Sequence, residues 1–66
     1  MTLGKIDTTK DLTGKFIVKE VDLDTVYFVE TDLGNNQYEM IDVKSRIAYC
    51  IDVDCNEVLE VLKFRN

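Results

Sequence analysis

Proline, histidine and tryptophan are absent from this chain, serine occurs once, and cysteine twice. Without histidine, neither a Ser-His nor a Cys-His dyad can form, and the lone Ser45 stands beside Lys44 and Arg46. Glycine is equally sparse: Gly4, Gly14 and Gly34 stand alone, so no glycine-rich phosphate loop is present. General acid–base work by a carboxylate pair needs a perturbed member in a cleft, and a chain of 66 residues leaves little room for one. No catalytic residue is therefore assigned, and the chain is read as a non-enzyme.

Metal chemistry is equally short of parts. The stretch "CIDVDCNEVLEVLKF" (50–64) opens with Asp52, Asp54 and Asn56 at alternate positions, as a calcium loop does. Counted from Asp52, the sixth position should be glycine for the sharp turn and the twelfth a bidentate glutamate. The chain has Glu57 and Lys63 there, so the spacing is read as polar residues closing a turn. Zinc would need four ligands, and Cys50 and Cys55 have no histidine or further cysteine to join them. The two are read as free thiols, and no metal or cofactor is expected.

No apolar run approaches the ~20 residues that span a bilayer. The start "MTLGKIDTTKDLTGK" lacks the apolar segment of a secretory signal, so a soluble, cytoplasmic protein is expected.

Basic residues are missing where acids are densest. The first nineteen residues carry four lysines against Asp7 and Asp11, a net of +2, while Glu20 onward has eleven acids and four bases, a net of −7. Between Glu20 and Asp42 lie Glu20, Asp22, Asp24, Glu30, Asp32, Glu39 and Asp42, with no base among them. Nucleic-acid affinity comes mainly from basic side chains on phosphate, so this segment repels it. Phe16, Tyr27, Phe28 and Tyr38 could stack bases, yet they are interleaved with acids and are read as core. Direct nucleic-acid binding is therefore set aside. A basic protein surface is the partner this charge pattern attracts, and the seven acids are the candidate partner-binding residues.

What the chain does hold is strand-forming sequence. Valine and isoleucine number thirteen against seven leucine plus alanine. Only four of the thirty apolar residues (Met1, Leu3, Ile6, Leu12) lie in residues 1–15, which read as a loosely held arm before a single β domain over 16–66. "KFIVKEV" (15–21) and "TVYFVET" (25–31) predict a hairpin around Asp22-Leu23-Asp24. "DLGNN" (32–36) predicts a loop whose Gly34, Asn35 and Asn36 tolerate left-handed backbone, followed by a strand over "QYEMIDV" (37–43). A turn at Lys44-Ser45 leads to "RIAYCIDV" (46–53), whose alternation points Ile47, Tyr49, Ile51 and Val53 at the core.

"NEVLEVLKFR" (56–65) reads as a fifth strand returning through the loop Asp54-Cys55-Asn56, with Ile51 opposite Leu59, Tyr49 opposite Val61 and Asn56 left-handed. A short helix from Cys55 to Arg65, capped by Asp54 and Glu57, is the alternative. The predicted fold is all-β: a five-stranded antiparallel meander curled into a small barrel or roll. The predicted function is a small acidic protein-binding module. Its sharper form is an inhibitor that occupies a basic, nucleic-acid-binding surface, a DNA mimic such as mobile genetic elements use. The other reading is an assembly subunit, a homodimer formed through the apolar last strand.

Overall fold

The computed structural model describes residues 1–54 and 57–64. Among the described residues six strands form one antiparallel sheet: β1 (Thr2–Lys5), β2 (Phe16–Lys19), β3 (Asp22–Gly34), β4 (Gln37–Asp42), β5 (Ala48–Asp52) and β6 (Val58–Lys63). No helix occurs among the described residues, so the all-β reading stands and the helix from Cys55 to Arg65 is replaced by β6. The left-handed placement of Asn56, and the loop it closes, lie outside the described residues.

The meander needs correcting. The strand order is β1-β6-β2-β3-β4-β5, so β6 leaves β5 and enters between β1 and β2. Leu59 pairs with Val18 on one side and Lys5 on the other, while Val61 pairs with Leu3. The pairings of Ile51 with Leu59 and Tyr49 with Val61 do not form. The cause is the two-sided apolarity of β6: Val58 packs into the main core, and Val61 is buried apart from it. An inner position hydrogen-bonds both margins of such a strand, whereas a place beside β5 would leave one margin open. The sheet also does not close into a barrel. It ends on two short edges, β1 with four residues and β5 with five.

Strand alternation assembles the main core on one face. Ile17, Tyr27, Val29, Tyr38, Met40, Ile51, Val53 and Val58 pack there with Leu12. Leu12, Ile17, Val29 and Met40 have no exposed surface. Leu12 comes from the segment read as a loose arm, which supplies both an edge strand and a core side chain. Tyr38 ties that segment down: its phenol oxygen accepts the Leu12 N–H at 3.4 Å and donates to the Lys10 carbonyl at 3.4 Å. Further along, Gly14 N–H donates to Val29 O and Val29 N–H to Lys15 O, both at 2.9 Å.

Along residues 46–53, Ile51 and Val53 are buried as the alternation predicts, but Tyr49 is 43% and Ile47 53% exposed. Both belong to the open edge, where no neighbouring strand covers them.

Turn chemistry sets the remaining boundaries. Glu20 and Val21 make the β2–β3 turn, so Asp22-Leu23-Asp24 begins β3 instead of forming the loop. A register shift between Val18 and Lys19 absorbs the extra residues of β3. At the β3–β4 turn the left-handed residues are as expected, Gly34, Asn35 and Asn36 having φ of 82°, 53° and 62°, but the loop read over 32–36 shrinks to Asn35-Asn36 because β3 runs to Gly34. Two consecutive left-handed residues define the hairpin turn whose twist suits antiparallel strands, and asparagine tolerates that backbone better than most. Asn35→Gly is therefore expected to leave the urea midpoint unchanged or slightly raised. Asn35→Val should lower stability by roughly 1–2 kcal/mol.

Candidate functional site

The seven predicted acids do not form one patch. Asp22 and Asp24 open β3, and Asp42 closes β4 beside them; Asp24 and Asp42 line a shared shallow depression with Thr25, Val26 and Lys44. Asp32 lies near the far end of the 13-residue β3, in a second depression with Asp11, Asn35, Asn36 and Tyr38. Glu30 is exposed on β3 and Glu39 half-buried on β4, between these two ends. Glu20 turns toward β6: its N–H donates to Glu57 O at 2.8 Å, and the Glu57 carboxyl raises that of Glu20 above its ordinary value. Asp22, Asp24 and Asp42 are the subset the fold brings together.

That end of the molecule surrounds Tyr27. Burial raises the Tyr27 phenol above its ordinary value, and the charges of Asp42 and Asp22 and the neighbouring Tyr49 add to the effect. The Tyr49 ring meets Tyr27 edge-on at 6.0 Å, and Lys19 Nζ sits 5.4 Å from the Tyr27 centroid. The alternation of β3 places Tyr27 on the core face, with Lys19 over its ring.

Most of the aspartates also have a local task that reading by charge alone misses. Asp7, Asp11, Asp22, Asp32, Asp42 and Asp52 each accept the backbone N–H two residues on, at distances from 2.8 to 3.3 Å. A short carboxylate reaching its own backbone in this way closes a turn. The signal was present in the sequence as Asp-x-Thr at 7–9 and 11–13 and as Asp-x-Gly at 32–34.

These bonds move protonation equilibria in opposite directions at different sites. The Thr9 hydroxyl and N–H hold Asp7 below its ordinary value, the Thr13 N–H and hydroxyl do so for Asp11, and the Lys44 and Ser45 N–H groups do so for Asp42. Glu20 is raised because its protonated carboxyl donates a hydrogen bond to the Glu57 carboxylate, and then by that carboxylate's charge. A lowered carboxyl stabilises the fold above its unfolded value, and that contribution is lost as pH falls through the folded value. A raised one stabilises at low pH and loses its contribution as pH rises through the folded value. Carboxyl titration followed by NMR is expected to place Asp7, Asp11 and Asp42 below free aspartate and Glu20 above free glutamate. Asp42 titrating at or above free aspartate would contradict the turn geometry.

The sheet's second face is also apolar. The Phe16 ring lies 5.1 Å from Phe28 and 4.9 Å from Phe64, the latter edge-on. Val18 and Val61 are buried apart from the main core, while Phe64 remains more than half exposed. Of the four aromatics read as core, Tyr27 and Tyr38 are buried in the main cluster, and Phe16 and Phe28 are half-buried on this other face.

Cys50 is an exposed thiol with Sγ 4.0 Å from Gln37 Oε1; Cys55 lies outside the described residues. Among the described residues no three of His, Cys, Asp or Glu converge as a metal ion would require. No helix among them is long and apolar enough to cross a membrane.

Fold and surface together define a small, acidic, single-sheet β protein. Comparison with known proteins gives no match: no family model, no curated protein and no solved structure resembles the chain closely enough to place it.

Proposed function

We propose that the protein is a small acidic module that binds a protein partner through that partner's basic surface. The observation that supports this reading is carboxylates that stand outside ion pairs, several of them held in place by their own turns. None of Glu20, Asp22, Asp24, Glu30, Asp32, Glu39 and Asp42 stands in an ion pair among the described residues. Asp22, Asp32 and Asp42 are held by their own turns, so little side-chain freedom remains to be lost on association. The end built by Asp22, Asp24 and Asp42 is the centre of the proposed surface, and Asp32, Glu30 and Glu39 extend the negative field along β3 and β4. In its sharper form the module is a cytoplasmic inhibitor that occupies a nucleic-acid-binding surface, carboxylates standing where phosphates would. It performs no chemistry of its own.

Assembly through the last strand is the second reading, favoured by exposed Phe64 beside Phe16 and by exposed Leu62 on β6. Both margins of β6 are already paired, so this association would use the apolar face rather than the strand edge. Capture of partners from the native host at low and moderate salt tests the primary reading. A basic protein retained at low salt and released as salt rises supports it. A captured partner held equally at both salts points to the apolar face instead.

A further inference from the structure

We propose that β5 is a self-pairing edge: two copies join antiparallel through Ala48–Asp52, about a two-fold axis at Cys50, and merge their sheets. The argument starts from the β4–β5 ladder. Asp42 N–H donates to Ile47 O at 3.0 Å and Val53 N–H to Asn36 O at 2.9 Å, with Met40 opposite Tyr49 and Tyr38 opposite Ile51 between them. Antiparallel ladders alternate, so the odd-numbered residues of β5 bond to β4. The N–H and C=O groups of Ala48 and Cys50 then point to the open side of the sheet.

That edge lacks three of the usual protections. Ala48-Tyr49-Cys50-Ile51-Asp52 contains no proline, lysine or register shift. The opposite edge, β1, is shorter, carries a register shift between Thr2 and Leu3, and ends on Lys5.

Self-complementarity fixes the register. A two-fold axis at Cys50, the middle residue, overlaps all five residues of both strands, and any other centre overlaps fewer. It sets Cys50 opposite Cys50 of the second copy, as a hydrogen-bonded pair of outward-facing backbones. Tyr49 then stands opposite the second copy's Ile51, and its exposed ring gains an apolar neighbour. Charge agrees. Lys44 and Arg46 precede β5, while Asp52 ends it and Asp54 follows. The antiparallel arrangement lays the basic end of one copy beside the acidic end of the other.

Two measurements on the full chain in reducing buffer test this. Sedimentation across the micromolar to millimolar range should show a monomer–dimer equilibrium. Amide hydrogen exchange should show Ala48 and Cys50 gaining protection as concentration rises, while Tyr49 and Ile51, bonded to β4, are protected throughout. Cys50→Lys places two ammonium groups opposite each other across the axis and should weaken dimerisation by about tenfold or more. Cys50→Ser should dimerise like the parent. A monomer at all concentrations, or exchange at Ala48 and Cys50 that ignores concentration, overturns the proposal. So does protection of these two amides that appears only with a captured partner, which would assign the edge to that partner's strand. If Cys50→Lys fails to fold, the parent's exchange pattern still decides.

Discussion

Leu12→Ala is expected to lower stability by roughly 2–5 kcal/mol, enough to unfold much of the population at physiological temperature. The side chain has no exposed surface and packs with Ile17, Val29 and Met40, themselves fully buried. Truncation removes apolar contact and leaves a cavity, because the segment around it is pinned: Tyr38 bonds Leu12 N–H and Lys10 O, and Lys15 N–H donates to Leu12 O at 3.2 Å. Leu23→Ala is the control, being the same chemical change at a side chain 45% exposed, and should cost under about 1 kcal/mol. Chemical denaturation of both variants checks this. Equal midpoints would show that residues 1–15 add nothing to the core.

Proline placed in β6 should be nearly as damaging, and the pattern matters more than the size. A strand paired on both margins uses the N–H of successive residues on alternate sides, so neither parity is free. Glu60→Pro and Val61→Pro each leave a carbonyl of a neighbouring strand without its donor, costing about 1–3 kcal/mol apart from lost packing. Cys50→Pro in β5 removes an outward N–H and should be tolerated in the monomer. Circular dichroism and thermal melting of the three variants separate the topologies. Were β6 the outer strand of a meander, one of its two prolines would be as well tolerated as Cys50→Pro.

The sequence made the strands legible and their neighbours much less so. Alternation at 46–53 correctly placed Ile51 and Val53, and the left-handed residues at 34–36 were readable because few side chains tolerate that backbone. Tyr49 and Ile47 share that alternation, but period alone cannot say whether a strand lies at an edge. The path of β6 was hidden for a related reason: a strand apolar on both faces announces an inner position without naming its neighbours. Residues 1–15 looked loose because their apolar residues are sparse, yet one well-anchored leucine contributes more to a core than density suggests.

The acidic segment was legible as charge and opaque as arrangement. Asp22, Asp24 and Asp42 converge because a hairpin returns the chain beside its own start, while Asp32 is carried to the other end of the same strand. Distance along the sequence gives no hint of that division.

The central claim, that Asp22, Asp24 and Asp42 engage a basic partner, is tested most directly by titration calorimetry. The titrant is the basic protein that capture recovers, at low and moderate ionic strength. Replacing all three by asparagine removes their charges and keeps an oxygen that can still accept the turn bonds of Asp22 and Asp42. Stability should change little, because the three carboxyls make no ion pair among the described residues. The account predicts affinity lower by about tenfold at low salt, with a shallower salt dependence than the parent's. The paired replacement of Asp11 and Asp32, at the other end of the molecule, should lose much less. Equal affinities for the parent and the triple variant at both salts would contradict the account and leave the negative end a solubilising surface.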